Sequence, residues 1–396
     1  MENLNLLKNI EFCGEISGNG VVCFDGDNQL YLMRQTSCEL PTKNGMVCKN
    51  IMYAKKNFYM NEDGSLDYKL KISSNSLRHD IFGEVDEFIP SRAMCDKKAY
   101  VNYLVSPTGF IRGYMFADKG NTDVRKSALR ITDAIQSNNV VSHIETFSKS
   151  GYRDSNSLFY KETCGDINYS FRGNIDMKLL QFVSSDPVCG RCALPKDCID
   201  SGLVDLMLRK HYPWHDNEKV KRGFFRSTSL ATQRSYSEYG LLLDQELCYY
   251  LCKRFLKSLL NYSSSATNNG YAKLTSLKIR FVTDVMCGEN ERGEWIEVKT
   301  SKDIDDLEIP QMYYYYEEAD KDDVRFHKEC SLSRDVSVAK ENLASAEEFY
   351  RSLEKKINDG QSVTEKRVED AKNKIELAKE TLKKAQDVLD SYLENK

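Results

Sequence analysis

The chain has 396 residues, 41% hydrophobic and 29% charged, with a formal net charge of −4. That length supports a substantial core and two or three domains, and the balance excludes a disordered or fibrous chain. No run approaches the ~20 apolar residues of a membrane helix, and Met1–Phe12 has neither a long apolar stretch nor a small-residue cleavage site, so no membrane span and no secretory leader are expected.

Thirteen cysteines, an odd number, are scattered along the sequence. Without a secretory signal they read as reduced thiols in a cytoplasm. The net charge hides a split. Lys69–Arg234 carries 25 Lys and Arg against 19 Asp and Glu, whereas Asp284–Leu332 carries 6 against 15. Binding follows the local field rather than the total, so the basic stretch is the place to look for an anionic partner.

In chain order, residues 1–65 are rich in Gly, Asn and Cys and predict irregular strands and loops. Leu66–Ile72 alternates, with Lys69 and Lys71 on the face opposite Leu66, Tyr68, Leu70 and Ile72. A helix over Ser74–Phe82 follows directly. Ala99–Val105 and Phe110–Phe116 flank Pro107-Thr108-Gly109 and predict a hairpin. Leu158–Glu162 and Asn168–Asp176 flank Cys164-Gly165-Asp166 and predict a second. Lys119–Ala134 reads as a polar loop with Arg125, Lys126 and Arg130. Ser201–His211 and Asp244–Tyr262 read as helices, the latter with Leu247, Leu251, Phe255 and Leu259 on one face. Tyr271–Thr283 and Trp295–Thr300 read as strands. The expected class for the middle is α+β.

From Ser333 the pattern becomes helical throughout. Apolar residues step by four and three from Ala339 to Ile357 and again from Val368 to Tyr392. The break is at Asn358-Asp359-Gly360, with a capping box at Ser362 and Glu365. This predicts two domains, 1–332 and an antiparallel helical hairpin over 333–396.

Several groups carry candidate chemistry. The helix entrance at Asn75–Ser76 is followed by Arg78 and His79. Cations near a helix N-terminus are ordinarily unfavourable, and an external phosphate would make them sensible. Lys69 and Lys71 extend the same face. Arg112 lies next to Gly113. Lys149 and Arg153 flank Tyr152, and Lys221, Arg222 and Arg226 interleave with Phe224 and Phe225, as in single-strand binders. Each group is also compatible with a merely solvated surface. Cys189, Cys192 and Cys198, followed by His211 and His215, begin with zinc-like spacing but lack a matching second pair, so zinc or free thiols both remain open. The five histidines form no HExxH, and no GxSxG or phosphate-binding GxxxxGK[ST] loop is present.

The runs LKISSNSLRHDIF, SPTGFIRGYMFADKG, VRKSALRITDA, SHIETFSKSGYRDSNSLFYKE and LLQFVSSD together resemble the Cas-seven family of CRISPR effectors. The resemblance is strongest to the backbone subunit of a type I-F variant complex and spans Leu66–Thr300. It implies a modified RNA-recognition-motif (ferredoxin-like) palm with hairpin fingers and a thumb. It further implies a non-catalytic, cofactor-free subunit that lines up in several copies along one CRISPR RNA. The guide bases are presented to a target strand, expected to be DNA, alongside other effector subunits and a separate nuclease. By that resemblance RNA contact falls to Arg78, His79, Arg112, Arg125, Lys126, Lys149 and Arg153. The hairpin after Ser333 departs from the family pattern. Two alternatives stand beside this reading: a metal-dependent endoribonuclease using Asp80, Asp123 or Asp133, and a scaffold acting through the helical hairpin without RNA.

Overall fold

The computed structural model describes residues 6–24, 51–83, 97–118, 121–148, 158–186, 192–228, 237–266, 270–284, 290–359 and 362–394. They form mixed α and β structure in two compact units. The first comprises residues 1–183, 197–221 and 243–314; the second comprises 184–196, 222–242 and 315–396. Among the described residues no helix is long and apolar enough to cross a membrane.

The first unit is built on a sheet of ten described strands: β1 (Leu6–Asn19), β2 (Lys56–Met60), β3 (Leu66–Ile72), β4 (Leu129–Ile131), β5 (Ala134–Gln136), β6 (Asp166–Asp176), β7 (Ser263–Ala266), β8 (Gly270–Asp284), β9 (Asn290–Arg292) and β10 (Ile296–Val298). The order is β7-β8-β1-β6-β5-β3-β2, with β9 and β10 on β8 and β4 on β6. β1 lies antiparallel to both β6 and β8. Its glycines predict an irregular segment, yet it is a long interior strand. The reason is a pair of crossed contacts. Gly14 lies opposite Phe171, and Phe12 opposite Gly173. A Cβ on Gly14 would stand 2.8 Å from the Phe171 ring, and one on Gly173 would stand 2.3 Å from the Phe12 ring. Each ring covers the bare backbone of its neighbour, which is how aromatic residues stabilise glycines in a sheet.

Ile10, Phe12, Ile16, Tyr169, Phe171, Ile175, Leu277 and Ile279 are buried on one face of this sheet. Two helices cover it: α1 (Ser74–Gly83) and, later in the chain, a helix over Gln245–Leu260. Phe255 of the latter meets Phe12 at 5.5 Å and Phe82 of α1 at 5.8 Å between ring centroids. The Asp244 carboxylate caps the second helix by accepting from the Glu246 and Leu247 amides. The apolar stripe read from the sequence is buried along that helix, down to Leu259.

The hairpin expected around Pro107 is instead two short helices, α2 (Lys97–Leu104) and α3 (Pro107–Arg112). The Ser106 hydroxyl accepts from the Gly109 amide, and Pro107 sits in the first turn, where its missing N–H costs nothing. Gly113, at φ 72°, ends α3. The same residues that mark a turn thus mark a helix start and stop. The second expected hairpin is also different. Leu158–Thr163 pairs with His143–Ser148, not with β6. The expected loop over Lys119–Ala134 contains the strand Asn121–Arg125, β4 and the start of β5. With the Gln245–Leu260 helix labelled α4, the remaining long helices are α5 (Lys321–Asn358) and α6 (Glu365–Glu394).

In the second unit, α5 begins twelve residues before the expected Ser333, capped by Asp320, which accepts from the Asp323 amide. α6 begins at Glu365, so the position before it belongs to Thr364 rather than Ser362. Val336, Ala339, Leu353 and Ala371 are buried, and the hydroxyl of Tyr392 donates to the Arg325 carbonyl.

Candidate nucleic-acid interface

The junction of β3 and α1 gathers several of the sequence-selected cations. Lys69 is exposed, with its ammonium 5.9 Å from the Tyr59 ring centre. Lys71 forms a 3.0 Å ion pair with Asp133, whose other oxygen accepts from the Ser74 amide at 2.8 Å. A negative group therefore already stands at the tip of α1, supplied by the chain itself. Burial opposes charge on Asp133, but the Ser74 amide and the Lys71 ammonium hold its carboxyl below the usual range. The Ser73 hydroxyl accepts from the Ser76 amide. Arg78 is half-buried and donates from Nη2 to the Leu129 carbonyl at 3.2 Å, while its Nε has no hydrogen-bond partner. Burial lowers the pKa of Arg78, and the like charge of Arg112, the last residue of α3, lowers it further. Two guanidinium groups thus sit within electrostatic reach, an arrangement that an incoming anion relieves. His79 is exposed beside them.

The structure places the other candidates apart. Arg125 is buried, and its guanidinium donates to the carbonyls of Phe110, Phe182, Leu179 and Leu180. It ties α3 to the 179–182 segment and presents no charge to solvent, so its expected contact with RNA is replaced by a structural role. Lys126 next to it is exposed, as are Lys221 and Arg222. Arg226 is held by carboxylates: Glu317 at 2.5 Å, Asp323 at 3.3 Å and Asp320 at 3.7 Å. It too is satisfied within the protein, in the second unit. Lys149 and Arg153 lie outside the described residues.

A further assembly of cations among the first unit's described residues involves, apart from Arg130, residues that no sequence motif marks. It occupies the sheet face opposite the helices. Across β8, β1 and β6, Lys278, Cys13 and Arg172 are register partners, as are Arg280, Glu11 and Asn174. Arg130 of β4 stands opposite Asn174. A depression of about 530 Å³ is lined by Cys13, Glu15, Asn57, Thr132, Arg172 and Lys278, among others. Arg172 and Lys278 are exposed, and among the described residues neither side chain has an ion-pair partner. Burial pushes the Cys13 thiol up, with Lys278, Arg172 and Arg280 acting against it. A local signal for these residues is present. Lys278 and Arg280 alternate with Leu277 and Ile279, and Arg172 sits between Phe171 and Gly173. Only the neighbour relations of the strands bring them together.

The zinc alternative finds little to build on. Cys189 lies outside the described residues. The Cys192 thiol donates to the Leu194 carbonyl, and burial pushes Cys198 up to about 11, away from the thiolate that zinc requires. Among the described residues His215, Asp244 and Glu246 come close enough together to ligate a cation. Each is already engaged: His215 with Asp244 at 2.6 Å, Asp244 also with the start of α4, and Glu246 with Lys219 at 2.7 Å.

Among curated proteins the chain has no match. Solved structures give partial likenesses. A chain described as "CRISPR RNA-guided surveillance complex, pre-nicking" is 9% identical over 69% of this chain and 75% of its own, with a TM-score of 0.34. One described as "CRISPR RNA-guided surveillance complex" is 11% identical over 68% of each chain, with a TM-score of 0.30. One described as "Type IV-B CRISPR Complex" is 12% identical over 42% of this chain and 73% of its own, with a TM-score of 0.25. Scores this low leave the description of the fold to the strands and helices above. A family model described as "Type I-Fv CRISPR-associated protein Cas7fv-like" matches residues 7–316, from the second residue of β1 to the end of the tyrosine run. The match holds all of the sheet but Leu6, together with both helices that cover it, and stops short of α5 and α6. The chain belongs to the type I-Fv CRISPR-associated Cas7fv-like family.

Proposed function

We propose that this protein is a non-catalytic backbone subunit that binds CRISPR RNA and repeats along the guide, leaving its bases free to pair with a target strand. In this reading the first unit's sheet, with α1 and α4 on one face, is the RNA-recognition-motif palm. The observation that carries the proposal is the open sheet face with the exposed cations Arg172 and Lys278, in a chain whose family is CRISPR-associated. Contacts from such side chains to phosphate are sequence-independent, which a carrier of changing guides requires. Arg78 and Arg112 add a second cationic site beside α1. The partners are the guide, a DNA target, further copies of the chain, other effector subunits and a separate nuclease, all in the cytoplasm. The 333–396 hairpin serves assembly rather than RNA contact.

Two of the three candidate residues of the endoribonuclease alternative, Asp123 and Asp133, are already engaged within the protein. Asp133 is bound to Lys71 and the Ser74 amide, and Asp123 accepts from the Tyr100 hydroxyl. Purification at low salt tests the proposal. The expected result is co-purifying RNA of discrete length, with affinity that falls steeply as salt rises. A protein free of nucleic acid that fails to bind added single-stranded RNA at low salt would overturn it.

A further inference from the structure

The sheet face has a second recess, of about 490 Å³, at its β8–β10 end, and its chemistry differs from the first. Trp295 stands on the corner between β9 and β10, 40% exposed. The Gly293 amide donates to the Phe281 carbonyl and pins that corner to β8. The Arg280 guanidinium lies over one face of the indole, 4.3 Å from the ring centre. That guanidinium is fixed in turn by the Glu11 carboxylate, at 2.7 Å from Nε and 2.5 Å from Nη2. The indole is therefore backed by a positioned cation, while part of its surface remains open to solvent. Around it stand Arg172, Arg130, which pairs with Asp176 at 3.3 Å, and Arg292, 3.8 Å from the Glu11 carboxylate, and the Asn174 amide supplies a donor and an acceptor. Gly173, with no side chain, lies among the lining residues opposite Ile131.

We propose that this recess is a stacking subsite for one nucleotide of a bound single strand, an inference that rests on the RNA-binding reading above. A nucleobase offers a flat π-face for Trp295 and a polar edge for Asn174, and the phosphate of the same nucleotide matches Arg172, with the exposed Arg130 and Arg292 beside it. The volume falls in the range of about 300–1,000 Å³ that small-ligand sites occupy. A carboxylate or sulfate would use the arginines but leave the indole without a role. Stacking is tolerant of base identity, so the subsite fits a strand of any sequence.

The chain has two tryptophans, so a Trp214→Phe background leaves Trp295 as the sole indole reporter. The experiment titrates that full-length variant with oligouridylate, and separately with an abasic oligonucleotide carrying the same number of phosphates. A Trp295→Ala variant is measured in parallel by fluorescence anisotropy. The subsite predicts quenching of Trp295 by oligouridylate but not by the abasic strand. It also predicts an affinity loss of about 5- to 150-fold in Trp295→Ala, recovered in large part by Trp295→Phe. Normal binding with unchanged Trp295 emission and no loss in Trp295→Ala overturns the subsite while leaving the RNA-binding reading intact. Equal quenching by the abasic strand also overturns it, by removing the base from the contact. Absence of binding to either strand overturns both.

Discussion

Replacing Arg125 by alanine separates a structural role from an RNA-binding one. In the folded protein its guanidinium makes hydrogen bonds of 3.1, 3.2, 3.3 and 3.1 Å to four carbonyls and lies 5.4 Å from the Phe110 ring centre. Hydrogen bonds to a charged group contribute about 1.5–3 kcal/mol each at most, and four bonds on one guanidinium do not add fully. Water entering the vacated space restores part of what the carbonyls lose, so a net loss of about 3–4 kcal/mol is expected for Arg125→Ala. Against a total stability of about 5–15 kcal/mol, that loss is large. It corresponds to a fall in Tm of about 5–7 °C for a unit of about 280 residues. Arg125→Lys cannot reproduce the fork and should recover less than half. Differential scanning fluorimetry gives the shift, and RNA titration of the folded fraction at low temperature gives the affinity. The reasoning fails if Tm changes by less than about 2 °C while RNA affinity falls and its salt slope flattens, because that is the signature of a side chain that had been neutralising a phosphate.

On the open sheet face, a Lys278→Ala, Arg172→Ala pair should weaken single-stranded RNA of every sequence alike. The salt slope should fall by about 0.7 for each phosphate no longer neutralised, read by filter binding from about 50 to 200 mM salt. Unchanged slopes would place the RNA elsewhere. Asp133 has a folded pKa below its unfolded value, so its contribution to stability is present above an ordinary carboxylate pKa of ~3.9 and is lost as pH falls through the folded value. The stability gap between wild type and Asp133→Asn, from urea midpoints, should be constant above about pH 5 and shrink below about pH 4; a gap still undiminished at about pH 3 would refute the assignment. Ending the chain after Asp335 keeps Asp323 and His327, which hold Arg226 and Asp186. RNA affinity should stay within about twofold of wild type while the mass of the RNA–protein assembly changes by light scattering. Loss of RNA binding would instead place α5 and α6 in the RNA site.

The elements that are legible in the sequence are those whose stabilising contacts follow a local period. The α4 stripe and the alternation of β3 and β8 can be read because burial of one face imposes that period directly. β1 is obscured because its glycines are explained by other strands far away in sequence, Gly14 by the Phe171 ring and Gly18 by the Tyr271 backbone. Pro107-Thr108-Gly109 is ambiguous in principle, since a turn and a helix N-terminus share residue preferences; Ser106 tips it to helix. The candidate site divides along the same line. Arg78 with Arg112 lies where the basic residues point, and Lys71 too, though already answered by Asp133. Arg125 and Arg226 mislead because a cation's partners, carbonyls in one case and carboxylates in the other, come from remote segments. Arg172 and Lys278 escape notice for the complementary reason: each is ordinary in its own strand and becomes notable only beside the other across β1.

The clasp between Tyr392 and Arg325 has a practical corollary. From Arg325 to Asp359 the first helix advances about 51 Å at about 1.5 Å per residue, and the second brings the chain back to its starting level. A fluorophore placed near Leu393 would therefore report events at the foot of this mast, whereas one at Asp359 would report on its crown. Paired labels at those positions would form a molecular ruler, able to distinguish a neighbour that touches the crown from one that grips the foot.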